Sequence, residues 1–171
     1  MQTTLYGADV VLRPATADDV PALAAIRAEP EVYARWRGGA DLVAAVADDL
    51  ASSGQYSYVI EYGGRIIGAI QWSEESDPDY RHANIDIYLT SALHGRGLGT
   101  DAVRTLARHL LTERGHHRIT IDPAADNEAA IRSYRKVGFR PVGIMRRYER
   151  GPDGTWHDGL LMDLLAEDLT G

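Results

Sequence analysis

Apolar and polar positions along the chain follow two periods, and the switches between them mark out the elements. Val10-Val11-Leu12-Arg13-Pro14 is a short apolar run closed by proline and predicts a first strand. Thr16-Ala17-Asp18-Asp19 has the spacing of a capping box, with Asp in place of Glu. Val20, Leu23, Ala24 and Ile26 then share one helical face, in a helix expected to stop near Pro30. Residues 31–37 read as a short helix broken by Gly38-Gly39, and Asp41 is placed to cap another whose stripe is Leu42, Ala45, Val46, Asp49 and Leu50. Two strand-like runs, 56–62 and 65–72, are joined by Gly63-Gly64, a strong two-residue hairpin signal. Residues 73–81 read as a polar loop, after which Asn84-Ile85-Asp86-Ile87-Tyr88-Leu89 alternates again as a strand.

The period then changes from 2 to 3.6. Leu93-His94-Gly95-Arg96-Gly97-Leu98-Gly99-Thr100 opens a helix in which Val103, Leu106, Ala107, Leu110 and Leu111 recur at i, i+3, i+4, i+7 and i+8. Arg118-Ile119-Thr120-Ile121 is the next strand, ending at Asp122-Pro123. Strand, glycine loop, helix, strand is a parallel βαβ unit, so its crossover should be right-handed and its strands close neighbours. Asn127 is expected to cap a helix over 128–137 closed by Gly138, and 139–149 with 155–164 form a last hairpin around Gly151-Pro152-Asp153-Gly154. With no internal repeat, low-complexity tract or linker, residues 1–171 read as one α/β domain with a mixed sheet.

Composition narrows this picture. At 171 residues, 44% hydrophobic and 25% charged, the chain has globular values and enough length for a core. It has no cysteine, which excludes disulfides, thiolate metal sites and a cysteine nucleophile. No apolar run approaches a membrane span, and the N-terminus lacks the layout of a signal peptide, so a cytoplasmic location is the default expectation. The formal net charge of −7 argues against nucleic acid and anionic membrane as partners and favours a cationic substrate, although modest acidity is also common on soluble surfaces. The six histidines, at 82, 94, 109, 116, 117 and 157, include no pair spaced i, i+4 for a metal on one helix face; apart from His94 they are expected at the surface.

The glycine-rich corner carries the first candidate chemistry. Glycines at a strand-to-helix turn let the backbone approach a ligand, and the first helix amides lack intrahelical partners, so the corner suits a phosphate or pyrophosphate. It is also an ordinary turn in many chains. Its G-x-G-x-G spacing is neither the dinucleotide fingerprint G-x-G-x-x-G nor, lacking a lysine, the NTPase loop. Ligands in such sheets bind at the carboxyl ends of the parallel strands. Two carboxylates, Asp86 and Asp122, lie towards that edge, although Asp is depleted in strands and a lone buried carboxylate is costly. Asp122 is equally a turn residue before Pro123. Asn127 and Tyr134 project from one helix face, and on spacing alone Tyr134 belongs with Ala130 and Val137 in a buried stripe. The carboxylates Glu74, Glu75, Asp77 and Asp79 read first as a solvated surface run.

The loop His94-Gly95-Arg96-Gly97-Leu98-Gly99 resembles the Q/R-x-x-G-x-G/A pyrophosphate loop of the GCN5-related N-acetyltransferases, with His94 replacing the usual Gln or Arg. The run from Asp122 to Phe139 is similar to the same superfamily's N-x-x-A-x-x-x-Y-x-K-x-G-F signature, and the Ile-Asp-Pro-x-x-x-Asn form with Ile85-Asp86 resembles its aminoglycoside 6′-N-acetyltransferase branch. The likeness is firm over 84–139 and thin before residue 55. It implies a single mixed, mostly antiparallel sheet of about seven strands, splayed at the central parallel pair, with about four helices on both faces. It implies direct transfer of acetyl from acetyl-CoA to an amine in a ternary complex. Backbone amides of Gly95, Arg96, Gly97, Leu98, Gly99 and Thr100 would hold the pyrophosphate, and amides near Tyr88 and Leu89 the thioester oxygen. Asn127 and Lys136 would bind the cofactor arm, and Tyr134 would protonate the leaving thiolate. Asp86 would be the base, Asp122 the anchor for the substrate ammonium, and Glu74, Glu75, Asp77 and Asp79 would line the mouth. The acceptor expected first is an aminoglycoside-type aminosugar, with antibiotic resistance as the consequence, by a monomer or homodimer. A protein N-terminal or ribosomal-protein acetyltransferase is the alternative, and a non-catalytic acetyl-CoA-binding module is the second.

Overall fold

The computed structural model describes residues 2–36 and 38–171. Eight strands form one sheet in the order β1-β2-β3-β4-β5-β6-β8-β7: Leu5–Tyr6, Val11–Pro14, Gln55–Tyr62, Arg65–Glu75, His82–Leu89, Arg118–Ile121, Trp156–Leu165 and Arg140–Arg150. Among the described residues five α-helices accompany them: α1 Val20–Arg27, α2 Pro30–Tyr33, α3 Leu42–Ala51, α4 Leu98–Thr112 and α5 Glu128–Val137. The sheet therefore has one strand more than the seven expected. The extra one is β1, two residues paired on Val11 and Leu12, too short to leave a periodic trace in the sequence. The helix expected over 31–37 is a single turn plus bends to Trp36, and Arg37 lies outside the described residues.

The stretch 73–81 is not all loop. Ser73, Glu74 and Glu75 extend β4 by pairing with Asn84, Ala83 and His82, so the connection shrinks to 76–81. Backbone pairing with an available neighbour outweighs the low strand propensity of the two glutamates.

Every ladder is antiparallel except β5 with β6. That parallel pair holds together over two steps only, Ala83↔Ile119 and Asn84↔Thr120, where Asn84 Nδ2 donates to Thr120 Oγ1 at 2.9 Å. Beyond that step the strands part. The core divides accordingly. One side packs Ile85, Ile119 and Ile121 against Leu98, Ala102, Val103, Leu106 and Leu110 of α4 and Val137 of α5. The other packs Val59, Ala69 and Tyr88 against Val20, Leu23 and Ala24 of α1 and Val46 of α3.

Candidate active site

The gap between β5 and β6 opens into a cavity of about 710 Å³ that gathers residues from both faces of the sheet. Its position follows from the register. Asn84 and Thr120 are the last paired residues, and two steps further along each strand, on the same face, stand Asp86 and Asp122. Both line the cavity, as do Tyr88, Leu89, the whole 93–100 corner, Asn127, Tyr134 and Lys136. The splay thus brings together the residues that the sequence placed on two strands, one loop and one helix.

The corner is built by conformation. Gly95 (φ 76°) and Gly97 (φ 79°) both adopt the left-handed region, and Gly97 is the N-cap of α4. A Cβ on Gly99 would stand 3.2 Å from Leu89 Cδ1, so small size also matters there. The first amides of α4 face the cavity without intrahelical acceptors, at the positive end of a 15-residue helix. Such a cradle fits a pyrophosphate. His94 turns its ring inward on its own chain, Nε2 lying 3.0 Å from the Leu89 carbonyl oxygen, so its side chain braces the corner. Asp101, one turn into α4, is absorbed differently: its carboxylate accepts from the amides of Ala8, Asp9 and Val10. Thr100 and Ser133 share a 2.7 Å hydrogen bond that fixes α4 against α5 along the channel.

Asn127 spends its side-chain oxygen on the Ala130 amide as the N-cap of α5. Tyr134 projects from the same face two turns further along, buried to 9% exposure and edge-on to Phe139 at 6.2 Å. It packs in the core and lines the cavity, so the two readings of this residue are compatible. Burial, with the charges of Asp86 and Asp122, holds its phenol well above the ordinary range, which keeps the proton on the oxygen.

Asp86 is pushed up to about 7, first by burial and then by the negative charges of Asp122, Glu149 and Asp49. Among the described residues no hydrogen bond or ion pair reaches its carboxylate. A carboxylic acid poised near neutrality at the edge of an open cavity is suited to exchange a proton with a ligand. Asp122 is also raised by burial, against a 2.8 Å hydrogen bond donated to its Oδ2 by the Tyr148 hydroxyl.

The four acidic residues expected at the mouth are not there. Glu74 and Glu75 pair with Ala83 and His82 at the start of β5, and the corner lies beyond its other end. The side chains of Glu75 and Asp77 accept from the amides of Asp77 and Asp79, closing their own turn. Glu74 instead meets His116, whose Nε2 lies 2.7 Å from Glu74 Oε2. His116 is buried at 3%, so the expectation of a surface position fails for it: Glu74 supplies the polar partner that makes its burial tolerable.

The cavity also has a wall that sequence reasoning missed, made of Glu31, Val32, Arg35, Trp36 and Glu149. Trp36 meets Tyr88 edge-on at 4.9 Å, and the buried Arg27 guanidinium lies 5.9 Å from each ring while its Nη1 binds Asp49 at 3.0 Å. Arg35 reaches across to Asp126 at 2.6 Å. None of this has a local sequence signature. Glu149 sits in the arginine-rich run 146–150 at the end of the first strand of the last hairpin, where nothing local marks it.

A model of the acetyltransferase (GNAT) domain matches residues 9–140. The chain belongs to the GNAT acetyltransferase family. Over 139 residues this GNAT chain is 33% identical to an aminoglycoside N(6′)-acetyltransferase type 1 of Klebsiella pneumoniae, covering 70% of this chain and 66% of that protein, so it spans just under two thirds of that relative's length. Many solved structures share the fold, RimJ and AAC(6′)-Ib among them. RimJ of Mycobacterium smegmatis, in complex with CoA-disulfide, superposes with a TM-score of 0.87 at 26% identity over 99% of this chain and 90% of its own. AAC(6′)-Ib, in complex with paromomycin and acetyl-CoA, gives 0.78 at 27% identity over 94% and 95%. The eight-stranded sheet, open at its parallel pair, is thus the GNAT sheet.

Proposed function

We propose that this chain transfers the acetyl group of acetyl-CoA to a primary amine of a small polycationic acceptor, an aminoglycoside-type aminosugar. The observation that carries the reading is the meeting, at one gap in the sheet, of an amide-lined corner with four carboxylates, Glu31, Asp86, Asp122 and Glu149. The corner suits the cofactor's pyrophosphate, and the carboxylates suit an acceptor with more than one ammonium group. The aminoglycoside acetyltransferase relative and the structure solved with paromomycin and acetyl-CoA support the choice of acceptor.

In this mechanism an ammonium group of the acceptor docks against Asp122 and gives a proton to Asp86, directly or through one water. The freed amine nitrogen attacks the thioester carbon. The C–N bond forms, the C–S bond breaks, and the CoA thiolate takes the Tyr134 hydroxyl proton, while the second proton that the nitrogen sheds on becoming an amide returns to the tyrosinate through solvent. Backbone amides near Tyr88 and Leu89 stabilise the charge that builds on the thioester oxygen. Amides of residues 95–100 hold the pyrophosphate, with Asn127 and Lys136 beside the cofactor arm.

The test is a thiol-release assay with acetyl-CoA against aminoglycosides, linear polyamines and peptides with free N-termini. Turnover of aminoglycosides above the other two classes is expected. Activity confined to peptides makes the chain a protein N-terminal acetyltransferase instead, and acetyl-CoA binding without any turnover makes it a cofactor-binding module.

A further inference from the structure

The last hairpin contains an irregularity that faces the acceptor side of the cavity. In the β7–β8 ladder Met145 pairs with Gly159, but the next pair is Glu149 with His157. Arg146, Arg147 and Tyr148 therefore stand opposite Asp158 alone. Within this bulge Arg147 has φ 49°, the left-handed region that L-residues other than Asn and Asp rarely occupy, and it is the only such non-glycine among the described residues. The conformation is held from across the ladder: the Arg147 amide donates to Asp158 Oδ1 at 2.8 Å. Asp158 also faces the other way. Its carbonyl accepts from the Ala125 amide at 2.9 Å, and its neighbour Gly159 bridges Ala124, so the same residue adjoins the loop that follows Asp122. What the bulge delivers is the Tyr148 hydroxyl, 2.8 Å from Asp122 Oδ2, and the placement of Glu149 on the cavity wall.

From this geometry we infer that Asp158 is a positioning residue for the acceptor site: by pinning Arg147 in a left-handed bulge it aims Tyr148 at Asp122, and so orients the carboxylate that receives the acceptor ammonium. Tyr148 occupies one oxygen of Asp122 and leaves the other to the ligand. A straight β7 would carry Tyr148 along the edge of the sheet instead, and Asp122 would lose that restraint. The inference rests on the reading of Asp122 as the ammonium anchor.

Kinetics with kanamycin as the acceptor test it. Asp158→Ala is expected to raise the kanamycin KM about tenfold, with the acetyl-CoA KM within about twofold of wild type, because the cofactor corner lies on other elements. Asp158→Asn retains an oxygen that accepts from the Arg147 amide and should stay close to wild type. Adding Arg147→Gly to Asp158→Ala should recover most of the loss, since glycine takes the left-handed turn unaided. A role in general stability predicts neither the split between the two KM values nor the rescue by glycine. Asp158 is exposed, so Asp158→Ala is expected to fold, and Tyr148→Phe offers an independent variant that should reproduce its kanamycin KM. An unchanged kanamycin KM in Asp158→Ala, or no recovery with Arg147→Gly, overturns the inference. If Asp122→Asn raises the kanamycin KM while Asp158→Ala does not, only the positioning role is lost. If Asp122→Asn also has no effect, the anchor itself is wrong and the inference falls with it.

Discussion

Asp86 combines two properties that are seldom found together, a place in the middle of a strand and a carboxyl held near neutrality by burial and by like charge. The consequence for stability has a definite sign. The folded carboxyl keeps its proton up to about pH 7, whereas an unfolded one releases it near pH 4. The folded state therefore binds the extra proton in that window, and stability falls as the pH rises through it. Asp86→Asn removes this penalty: the variant is expected to melt higher than wild type near pH 8, the difference closing towards pH 4. Activity should move the opposite way, with kcat reduced about 100-fold or more and its rise through neutral pH flattened, because only spontaneously neutral amine then reacts. A folded variant with wild-type kcat across pH 6 to 9, about three units on the acid side of an amine's titration, makes Asp86 structural and moves the base to Asp122. Tyr134→Phe separates chemistry from packing in the same way. The ring and its contact with Phe139 remain, so an unchanged melting temperature is expected, with kcat lowered about 10–100-fold. Full activity assigns the residue to the core alone.

At the scale of elements, what was legible in the sequence is what local periodicity and local turn chemistry encode. The Gly63-Gly64 hairpin, the Asn127 cap and the closing Gly138 of α5 each depend on neighbours a few residues away, and each forms where the pattern put it. The strand alternation around Asp86 and Asp122 carried further, because a parallel pair in register fixes which side chains share a face. What was not legible depends on partners distant in the chain. Glu74 and Glu75 look like loop residues until β5 offers them a ladder, and His116 looks like a surface histidine until Glu74 reaches it. Glu149 reaches the cavity through a bulge whose register only the β8 pairing reveals. The glycine corner is of the first kind, and its proposed role in holding the cofactor can be tested as such. Gly97→Val places a β-branched residue at φ 79°, with nothing within 4 Å of the added Cβ, so the cost is backbone strain rather than collision. The acetyl-CoA KM should rise about tenfold or more, while the amine KM and the packing of α4 hold. Unchanged cofactor affinity in the folded variant counts against the corner as the pyrophosphate site.

The molecule as a whole is a sheet fastened at one end of its parallel pair and open towards the other, with carboxylates beside both regions. At the fastened end Glu74 binds His116, Arg81 lies 3.5 Å from Glu74 and donates to the carbonyls of Arg114 and Gly115, and His116 meets Trp72 edge-on at 5.6 Å. These contacts join the β4–β5 turn to the α4–β6 turn, so β5 and β6 can part beyond Asn84 and Thr120 without the pair coming undone. At the open end stand Asp86, Asp122 and Glu149. With a net charge of −7, attraction of a polycation can be a property of the entire surface or of the cavity alone, and distance decides between them. Glu75 pairs with His82 and Asp86 stands four residues further along β5, so at about 3.3 Å per residue the two groups are roughly 13 Å apart, beyond the Debye length of ~10 Å at 0.1 M salt. Carboxylates at the fastened end are therefore screened from an acceptor at the mouth. The triple change Glu75→Gln, Asp77→Asn and Asp79→Asn, which keeps a side-chain oxygen for each turn, should leave both the acceptor KM and its increase with added salt as in wild type. Glu149→Gln removes one charge from the cavity wall, and should raise the KM for a polycationic acceptor more than for a monoamine while weakening the salt dependence. Steady-state kinetics between about 0.05 and 0.5 M salt distinguish the two cases. A triple variant that loses the salt dependence, beside a Glu149→Gln variant that keeps it, makes the attraction a property of the surface rather than of the site.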